Sequence, residues 1–457
     1  MSISNLQIDI LEMLIDKKKY LTLKEITKNL SKHSVTPRTI QRELSTLIKN
    51  QRVIKEGKTA NATYAIDEVV RYYKKYSFIY VGKDKEVAGL FFKLDDCYRF
   101  YYTNNFLINL SEPISTIPLS TEYIDFENIP PVFEENIPEG INREIIEIGA
   151  HTSDEFDLLT LLDDNIGDLT FSKSEEVFLN INKQKNPAYL SSLDEILGEN
   201  KRINILEDFS IKIEDEQLFP EGHDLSRLEM KKAHGISGFQ YKKLVNIDFE
   251  NKKITSDAQT SNIYILKPYS KPKANPSNEN YFPHISINEH LFMSFAKNEL
   301  GFRVPYSAII KRKDDEEYHY IVKRFDRLGT SRYAKTTFAP YMGLISSTKY
   351  DTTSERMFTR IAKELTSPKE RMELLKHYAY SVIIQHEDMH TKNLSLIIES
   401  SKVFFSPLYD ISCTGLYDTT KKLDSTLTIN GKNKNIRPND FKVLSGGICI
   451  KIMECTV

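Results

Sequence analysis

Asp388 and Asn393 stand five residues apart in the run Gln385-His386-Glu387-Asp388-Met389-His390-Thr391-Lys392-Asn393, and Asp410 follows a hydrophobic stretch. A carboxylate, an amide five residues on and a second carboxylate downstream are what phosphoryl transfer to a hydroxyl needs. The first acid takes the hydroxyl's proton, and the amide and second acid offer hard oxygens to Mg²⁺. Asp388 is therefore the expected base, with Asn393 and Asp410 as the expected Mg²⁺ ligands. His390, between them, is expected to touch nucleotide or to fix the loop.

Such a triad needs elements that bring ATP to it, and the chain upstream offers them in order. Gly235-Ile236-Ser237-Gly238-Phe239-Gln240 precedes a predicted strand, Lys243–Asp248. Two glycines and a serine at a turn expose backbone N–H groups that can cradle phosphate, although a plain hairpin turn uses the same residues. Ser237, Gly238, Phe239 and Gln240 are thus candidate nucleotide contacts. Lys267 ends the apolar strand Ile263-Tyr264-Ile265-Leu266, where it can pair with phosphate or simply snorkel to water. Asn288-Glu289-His290 opens a predicted amphipathic helix with Leu291, Phe292, Phe295 and Ala296 on its apolar side, halted by Gly301. Glu289 could orient Lys267, though glutamate also favours helix starts for dipole reasons alone. The strand Tyr320–Lys323 runs into a charged turn, so the backbone of Lys323, Arg324 and Phe325 is a candidate hinge for adenine. Helices are predicted near 354–365 and 368–384, the second leading into the Asp388 run.

The first seventy residues have a different character. Leu6, Ile10, Leu11 and Leu14 form one helical stripe in residues 5–16. Thr22-Leu23-Lys24-Glu25 is a capping box for a second helix. Thr36 as N-cap and Pro37 at the first helical position start a third, whose Ile40, Leu44, Leu47 and Ile48 face inward. Residues 52–57 and 61–66 alternate around Gly57-Lys58 as a hairpin would. Three short helices and a hairpin predict a winged helix-turn-helix that reads a DNA groove, and a protein-docking winged helix has the same hydrophobic pattern. Arg38, Gln41 and Arg42 on the third helix are the expected base or phosphate contacts, with Lys55 and Lys58 on the wing.

The 457 residues carry a net charge of −2, unevenly spread. Residues 1–66 hold twelve Lys/Arg against six Asp/Glu, whereas residues 67–170 hold eight against twenty-one. A basic head on an acidic body fits a polyanion-binding module joined to something else. The acidic block, aromatic and β-branched over 77–110 with turns expected at Gly82-Lys83 and Asp95-Asp96, offers no catalytic cluster. No apolar run approaches the roughly 18 residues of a membrane span. Cys97, Cys413, Cys449 and Cys455 show neither metal-ligand spacing nor disulfide density. A cytoplasmic protein with reduced thiols is expected.

Over residues 76–445 the chain resembles the HipA family of bacterial toxin kinases. The resemblance rests on Phe133, Pro138-Glu139-Gly140-Ile141-Asn142-Arg143, Ile166-Gly167-Asp168, Gly238 and Gln240, Lys267-Pro268, Asn288-Glu289, Arg324-Phe325-Asp326-Arg327, Lys349-Tyr350, Asp388-x-His390-x-Lys392-Asn393 and Pro407-x-Tyr409-Asp410. It implies a serine/threonine protein kinase using ATP and Mg²⁺, with aminoacyl-tRNA synthetases as the known class of target. Residues 237–242, Lys267, 323–325, His390, Asn393, Tyr409 and Asp410 would then contact nucleotide or metal, and Ser237 would be the autophosphorylated serine. The chain departs from the pattern in several places. It looks like the subgroup with its own helix-turn-helix, Gln385-His386 replaces the usual Gly-Asn, and Gly235 stands where many members have the modified serine. The family continues in helix well past the position of Phe441, so truncated or divergent C-terminal helices are expected.

The expected fold is α+β: a winged helix-turn-helix at 1–70, a small β-rich HipA N-terminal-like subdomain at 76–170, and a HipA-like, two-lobed protein-kinase-like domain at 205–457 with a largely helical C-terminal lobe. The expected function is a toxin–antitoxin kinase that binds DNA through residues 1–70, with a separate antitoxin and a homodimer left open. Two other readings remain. His386-Glu387-Asp388-x-His390-x-x-Asn393 also resembles the loop of aminoglycoside-type phosphotransferases, and a nucleotide-sensing transcription regulator would use the same fold.

Overall fold

The computed structural model describes residues 3–30, 35–58, 61–67, 75–109, 112–179, 185–198, 204–211, 233–234, 241–256, 263–269, 282–311, 313, 315, 317–418 and 420–447. The phosphate-loop candidates Ser237, Gly238, Phe239 and Gln240 lie outside these, as do Cys449 and Cys455. The chain divides into two compact units, residues 1–130 with 169–183, and residues 131–168 with 184–457.

In the first unit, helices Asn5–Lys17, Leu23–Asn29 and Pro37–Lys49 pack around Ile10, Leu11, Leu14, Ile26, Ile40, Leu44 and Leu47. Local chemistry sets their ends. Thr22 accepts from the Glu25 N–H while Glu25 accepts from the Thr22 N–H, and the Thr36 hydroxyl caps the Thr39 N–H. Strand Thr63–Ile66 lies between Val53–Glu56 and the two-residue strand Leu21–Thr22.

A five-stranded antiparallel sheet follows, in the order Ile124–Phe126, Tyr98–Tyr102, Glu86–Lys93, Ser77–Lys83, Leu169–Ser172. The turn between Ser77–Lys83 and Glu86–Lys93 is not at Gly82-Lys83. Those residues are paired within the strand, and Asp84, at φ 54°, makes the turn. Gly82 has another reason to be glycine: a Cβ there would enter the Phe178 ring.

The N-terminal helices are joined tightly to this sheet. Arg52 is fully buried, and its guanidinium donates to the carbonyls of Thr121 (2.8 Å) and Tyr102 (2.5 Å) and to Asn104 Oδ1 (2.9 Å). It lies 3.5 Å over the Tyr101 ring. Burial pushes its pKa down to about 10, so it stays charged. The Asn50 side chain donates to Thr121 Oγ1, and the Tyr101 hydroxyl donates to the Asn50 carbonyl.

The second unit holds a seven-stranded mixed sheet ordered Asn204–Leu206, Ser307–Ile310, His319–Lys323, Tyr264–Lys267, Lys243–Asp248, Lys253–Thr255, Ser210–Ile211. Against it lies helix Ile285–Asn298. This helix begins three residues before Asn288, and its inward face differs from the expected stripe. Leu291 and Phe295 are 45% and 50% exposed, while Asn288, Glu289, His290, Met293 and Ala296 are buried. A helix that turns three polar residues inward has work for them there.

The rest of this unit is largely helical, with a core around Met357, Phe358, Leu374, Tyr378, Leu396 and Phe405. Helix Pro368–Ile383 starts with Ser367 as its cap and leads into the Asp388 run. A three-stranded sheet of Ala334–Thr337, Ser395–Glu399 and Lys402–Phe405 then carries the chain to Asp410.

Residues 131–168 are built into this unit by charge. Asp164 accepts from Arg324 (2.7 Å) and Arg327 (2.8 Å), and Asp326 accepts from both arginines and from the Gly167 N–H. Gly167, at φ 63°, lets the chain pass so close to Lys335 that a Cβ would meet its backbone at 2.7 Å. Replacing Gly167 with alanine is therefore expected to lower the unfolding midpoint measurably, since neither the φ nor the gap suits a side chain.

Candidate active site

Lys267 ends its strand between Lys243–Asp248 and His319–Lys323, so neighbours on both sides fix its direction. Its ammonium donates to Glu289 Oε1 at 2.6 Å and to Asp410 Oδ1 at 2.5 Å. Side chains distant in the sequence thus converge on one buried cation. Burial disfavours the charge on Lys267, but Asp410 and Glu289 outweigh it and hold the pKa above the ordinary lysine value. Glu289 is well inside its helix, so pairing with Lys267, not the helix dipole, accounts for its place.

Asp410 sits at φ 54°, a conformation that costs a non-glycine residue energy and that recurs at functional sites. A third of its side chain reaches solvent. Burial of the rest would raise its pKa, but Lys242, 3.7 Å away, and Lys267 hold it well below the usual carboxylate range. Lys242, the last of the residues 237–242 that the family resemblance implied, is buried beside Asp410. Its local signal is that of a lysine at the start of an apolar strand directly after the glycine loop.

Two side chains fix the segment after Asp410. Asn288 donates to the Cys413 carbonyl and accepts from the Cys413 N–H, and His386 Nδ1 meets the Ser412 carbonyl at 2.9 Å. The helix carrying Glu289 and the loop carrying Asp388 are both tied to the strand exit carrying Asp410.

Asp388 is the most open member of the site, with 60% of its side chain exposed. Its backbone carbonyl accepts from Asn393 Nδ2 at 2.8 Å, which fixes the amide and leaves Asn393 Oδ1 as the atom available to a metal. The Tyr350 hydroxyl donates to Asp388 Oδ1 at 2.5 Å. His390 Nε2 lies 3.9 Å from the same oxygen, and its Nδ1 accepts from the Lys392 N–H. Burial pushes the His390 pKa down to about 4, against the pull of Asp388 and Asp410, so the ring is neutral. The charges of Asp388 and Asp410 both pull the His390 pKa upward, and both push the Tyr350 pKa upward.

Lys392 anchors the loop. Its ammonium donates to Glu139 Oε1 (2.5 Å) and Ser346 Oγ (2.8 Å), and Lys349 donates to the other Glu139 oxygen (2.9 Å). The Tyr409 hydroxyl bridges the Lys392 carbonyl and Ser395 Oγ, and its ring lies 5.3 Å from Phe325. Tyr409 therefore braces the loop.

At the expected adenine hinge two backbone amides are already engaged. The Lys323 N–H donates to the Tyr306 carbonyl and the Arg324 N–H to the Ile263 carbonyl, so neither amide is free for a purine. The Lys323 ammonium donates to the Glu195 carbonyl. The Arg324 guanidinium is spent on Asp164, Asn165 and Asp326, and Phe325 is buried. These residues hold the unit together.

Asn393 Oδ1 and Asp410 suit Mg²⁺ as hard oxygen donors. Among the described residues no group of three or more His, Cys, Asp or Glu side chains could cage a metal. The site fits an ion that draws the rest of its shell from phosphate and water.

Comparison with known proteins agrees with this architecture. Residues 79–172 match the HipA N-terminal domain and residues 234–453 the HipA-like C-terminal domain. A 94-residue stretch is 34% identical to "Putative kinase Y4dM" of Sinorhizobium fredii, covering 20% of this chain and 23% of that protein. The chain thus spans under a quarter of that relative's length. The fold is similar to that in the Shewanella oneidensis MR-1 toxin–antitoxin complex of HipA, HipB and operator DNA. The TM-score is 0.56 at 16% identity, with 82% of this chain and 85% of that chain covered. No helix among the described residues is long and apolar enough to cross a membrane.

Proposed function

We propose that this chain, with its HipA N-terminal and HipA-like C-terminal domains, is an ATP- and Mg²⁺-dependent serine/threonine protein kinase of toxin–antitoxin type. The observations that carry the reading are the lysine shared between Glu289 and Asp410 and the exposed Asp388, whose backbone carbonyl fixes the Asn393 amide. Lys267 and Lys242 supply positive charge for the phosphates, and Asn393 and Asp410 would hold Mg²⁺, which when bound would neutralise charge on the transferring group. The acceptor hydroxyl attacks the γ-phosphorus as its O–H proton passes to Asp388. The new O–P bond forms as the bond to the ADP oxygen breaks. An exposed base suits a hydroxyl presented on the surface of a folded protein. Aminoacyl-tRNA synthetases are the proposed target class and Ser237 the proposed autophosphorylation site, both on resemblance to the family.

The test is transfer of label from γ-labelled ATP to protein in the presence of Mg²⁺. Label on protein, absent with chelator and with Asp410→Ala, supports the reading. Transfer only to small acceptors, or nucleotide binding without turnover, overturns it.

The N-terminal helices are proposed to bind DNA as a winged helix. Arg38, Gln41 and Arg42 are exposed on helix Pro37–Lys49, and Lys55 and Lys58 are exposed on the hairpin. Arg42 is held by Glu43 at 3.0 Å. Deleting residues 1–70 would strip Arg52 from the sheet beneath, so point substitutions test the idea better. Arg38→Ala with Gln41→Ala and Arg42→Ala is expected to weaken binding to the chain's own promoter DNA. The salt slope should fall by about 1 for each phosphate that the variant no longer grips. Unchanged affinity and slope in a gel-shift series would remove the DNA-binding role.

A further inference from the structure

The base has a neighbour whose placement the reaction outlined above does not use. The Tyr350 hydroxyl donates to Asp388 Oδ1 at 2.5 Å. The tyrosine is held on both sides. Before it, the Lys349 carbonyl accepts from Thr391 Oγ1 at 2.9 Å, and the Lys349 ammonium pairs with Glu139 at 2.9 Å. After it, the Asp351 N–H donates to the Thr348 carbonyl and the Thr352 N–H to the Tyr350 carbonyl, both at 2.8 Å. The ring stands edge-on to His390, with centroids 5.0 Å apart. Its loop is thus bonded to the loop that carries the base.

We propose that Tyr350 is a positioning residue for phosphoryl transfer, holding one oxygen of Asp388 so that the other faces the acceptor hydroxyl. This rests on Asp388 being the base. A carboxylate on a surface loop rotates about its terminal torsion, and a base that must meet a hydroxyl within hydrogen-bond distance loses rate when it does. A phenol bonded to Oδ1 stops that rotation. Tyr350 keeps its own proton throughout, because burial and the charge of Asp388 both disfavour its ionised form. The acceptor's proton then goes to Oδ2 as the O–P bond forms and the bond to ADP breaks. The opposite role is a phenol that sits where the acceptor should and must leave, and the anchoring on both sides argues against it.

Tyr350→Phe keeps the ring against His390 and removes only the hydroxyl. Mg²⁺-ATP hydrolysis, with water as acceptor, and self-labelling from γ-labelled ATP are measured alongside wild type and Asp388→Ala. The turnover number is expected to fall about tenfold, as for loss of one hydrogen bond to a charged group, with the KM for ATP and the melting temperature unchanged. A second readout needs no nucleotide. Labelling of Asp388 by a water-soluble carbodiimide and an amine, read by peptide mass mapping, is expected to rise when the phenol is gone. Wild-type rates or faster turnover in Tyr350→Phe, or unchanged labelling, would overturn the positioning role while leaving Asp388 as base. Wild type and Asp388→Ala behaving alike would overturn the base itself, and this proposal with it.

Discussion

Asp388→Ala is expected to cut phosphate transfer by roughly 10²–10⁴-fold, the range associated with losing a general base. Melting temperature and Mg²⁺-ATP affinity should stay at wild-type values. The separation of effects follows from geometry. The Asp388 side chain is largely exposed and receives one phenol hydrogen bond, while the loop is held through its backbone carbonyl by Asn393 and through Lys392 by Glu139. Removing the carboxylate therefore takes the proton acceptor and little else. Asp388→Asn is the sharper control, since it preserves shape but cannot take a proton, and it should be nearly as slow. If the asparagine variant labels protein at the wild-type rate, Asp388 is not the base. Asp410→Ala is less clean, because it leaves Lys242 and Lys267 buried without their shared counter-charge.

The second large effect lies away from the chemistry. Asp326→Ala is expected to destabilise the second unit by roughly 3–5 kcal/mol, the cost of breaking a buried ion pair from one side. Arg324 and Arg327 are both buried against Asp326, and the Gly167 N–H donates to it. Its removal leaves the buried Arg324 Nε without its acceptor and two guanidiniums sharing Asp164 as their remaining counter-charge. Burial alone would raise the Asp326 pKa, but Arg324 and Arg327 hold it far below the usual carboxylate range. A carboxyl depressed in this way contributes stability above its unfolded value of about 3.9 and loses it only as pH falls through the folded value. Wild type should therefore keep this contribution through mildly acid solution, and the variant should lack it at every pH above that window. A urea midpoint for Asp326→Ala equal to that of wild type at pH 7 would refute the account.

The N-terminal helices can be read from the sequence because local rules decide them. Thr22 with Glu25 and Thr36 with Pro37 set helix starts whatever the rest of the chain does. The spacing of Asp388 and Asn393 is legible for a similar reason, since both lie in one short loop. Lys267 and Glu289 can be matched as a pair, but their meeting with Asp410 depends on strand order, which no local pattern encodes. Arg324 reads from the sequence only as part of a charged turn after a strand. Its partners Asp164 and Asn165 lie far earlier in the chain, beyond the reach of any local pattern. Leu291 and Phe295 mislead by hydrophobicity, since the helix turns Asn288, Glu289 and His290 inward instead. Tyr350 and Glu139 stand in stretches that carry the family resemblance, but their contacts with Asp388 and Lys392 depend on loops that the fold brings together.

The anchoring of Arg52 has a consequence for how the chain responds to its medium. Among the described residues its partners are carbonyls, an amide oxygen and an aromatic face, with no carboxylate. None of these groups gains or loses a proton in ordinary buffers, and dissolved ions screen a fully buried contact poorly. A groove-reading helix gripping phosphate through Arg38 and Arg42 would let go as ionic strength rises. The joint beneath it would hold, so salt that abolished the proposed DNA contact would leave helix Pro37–Lys49 fastened to its sheet.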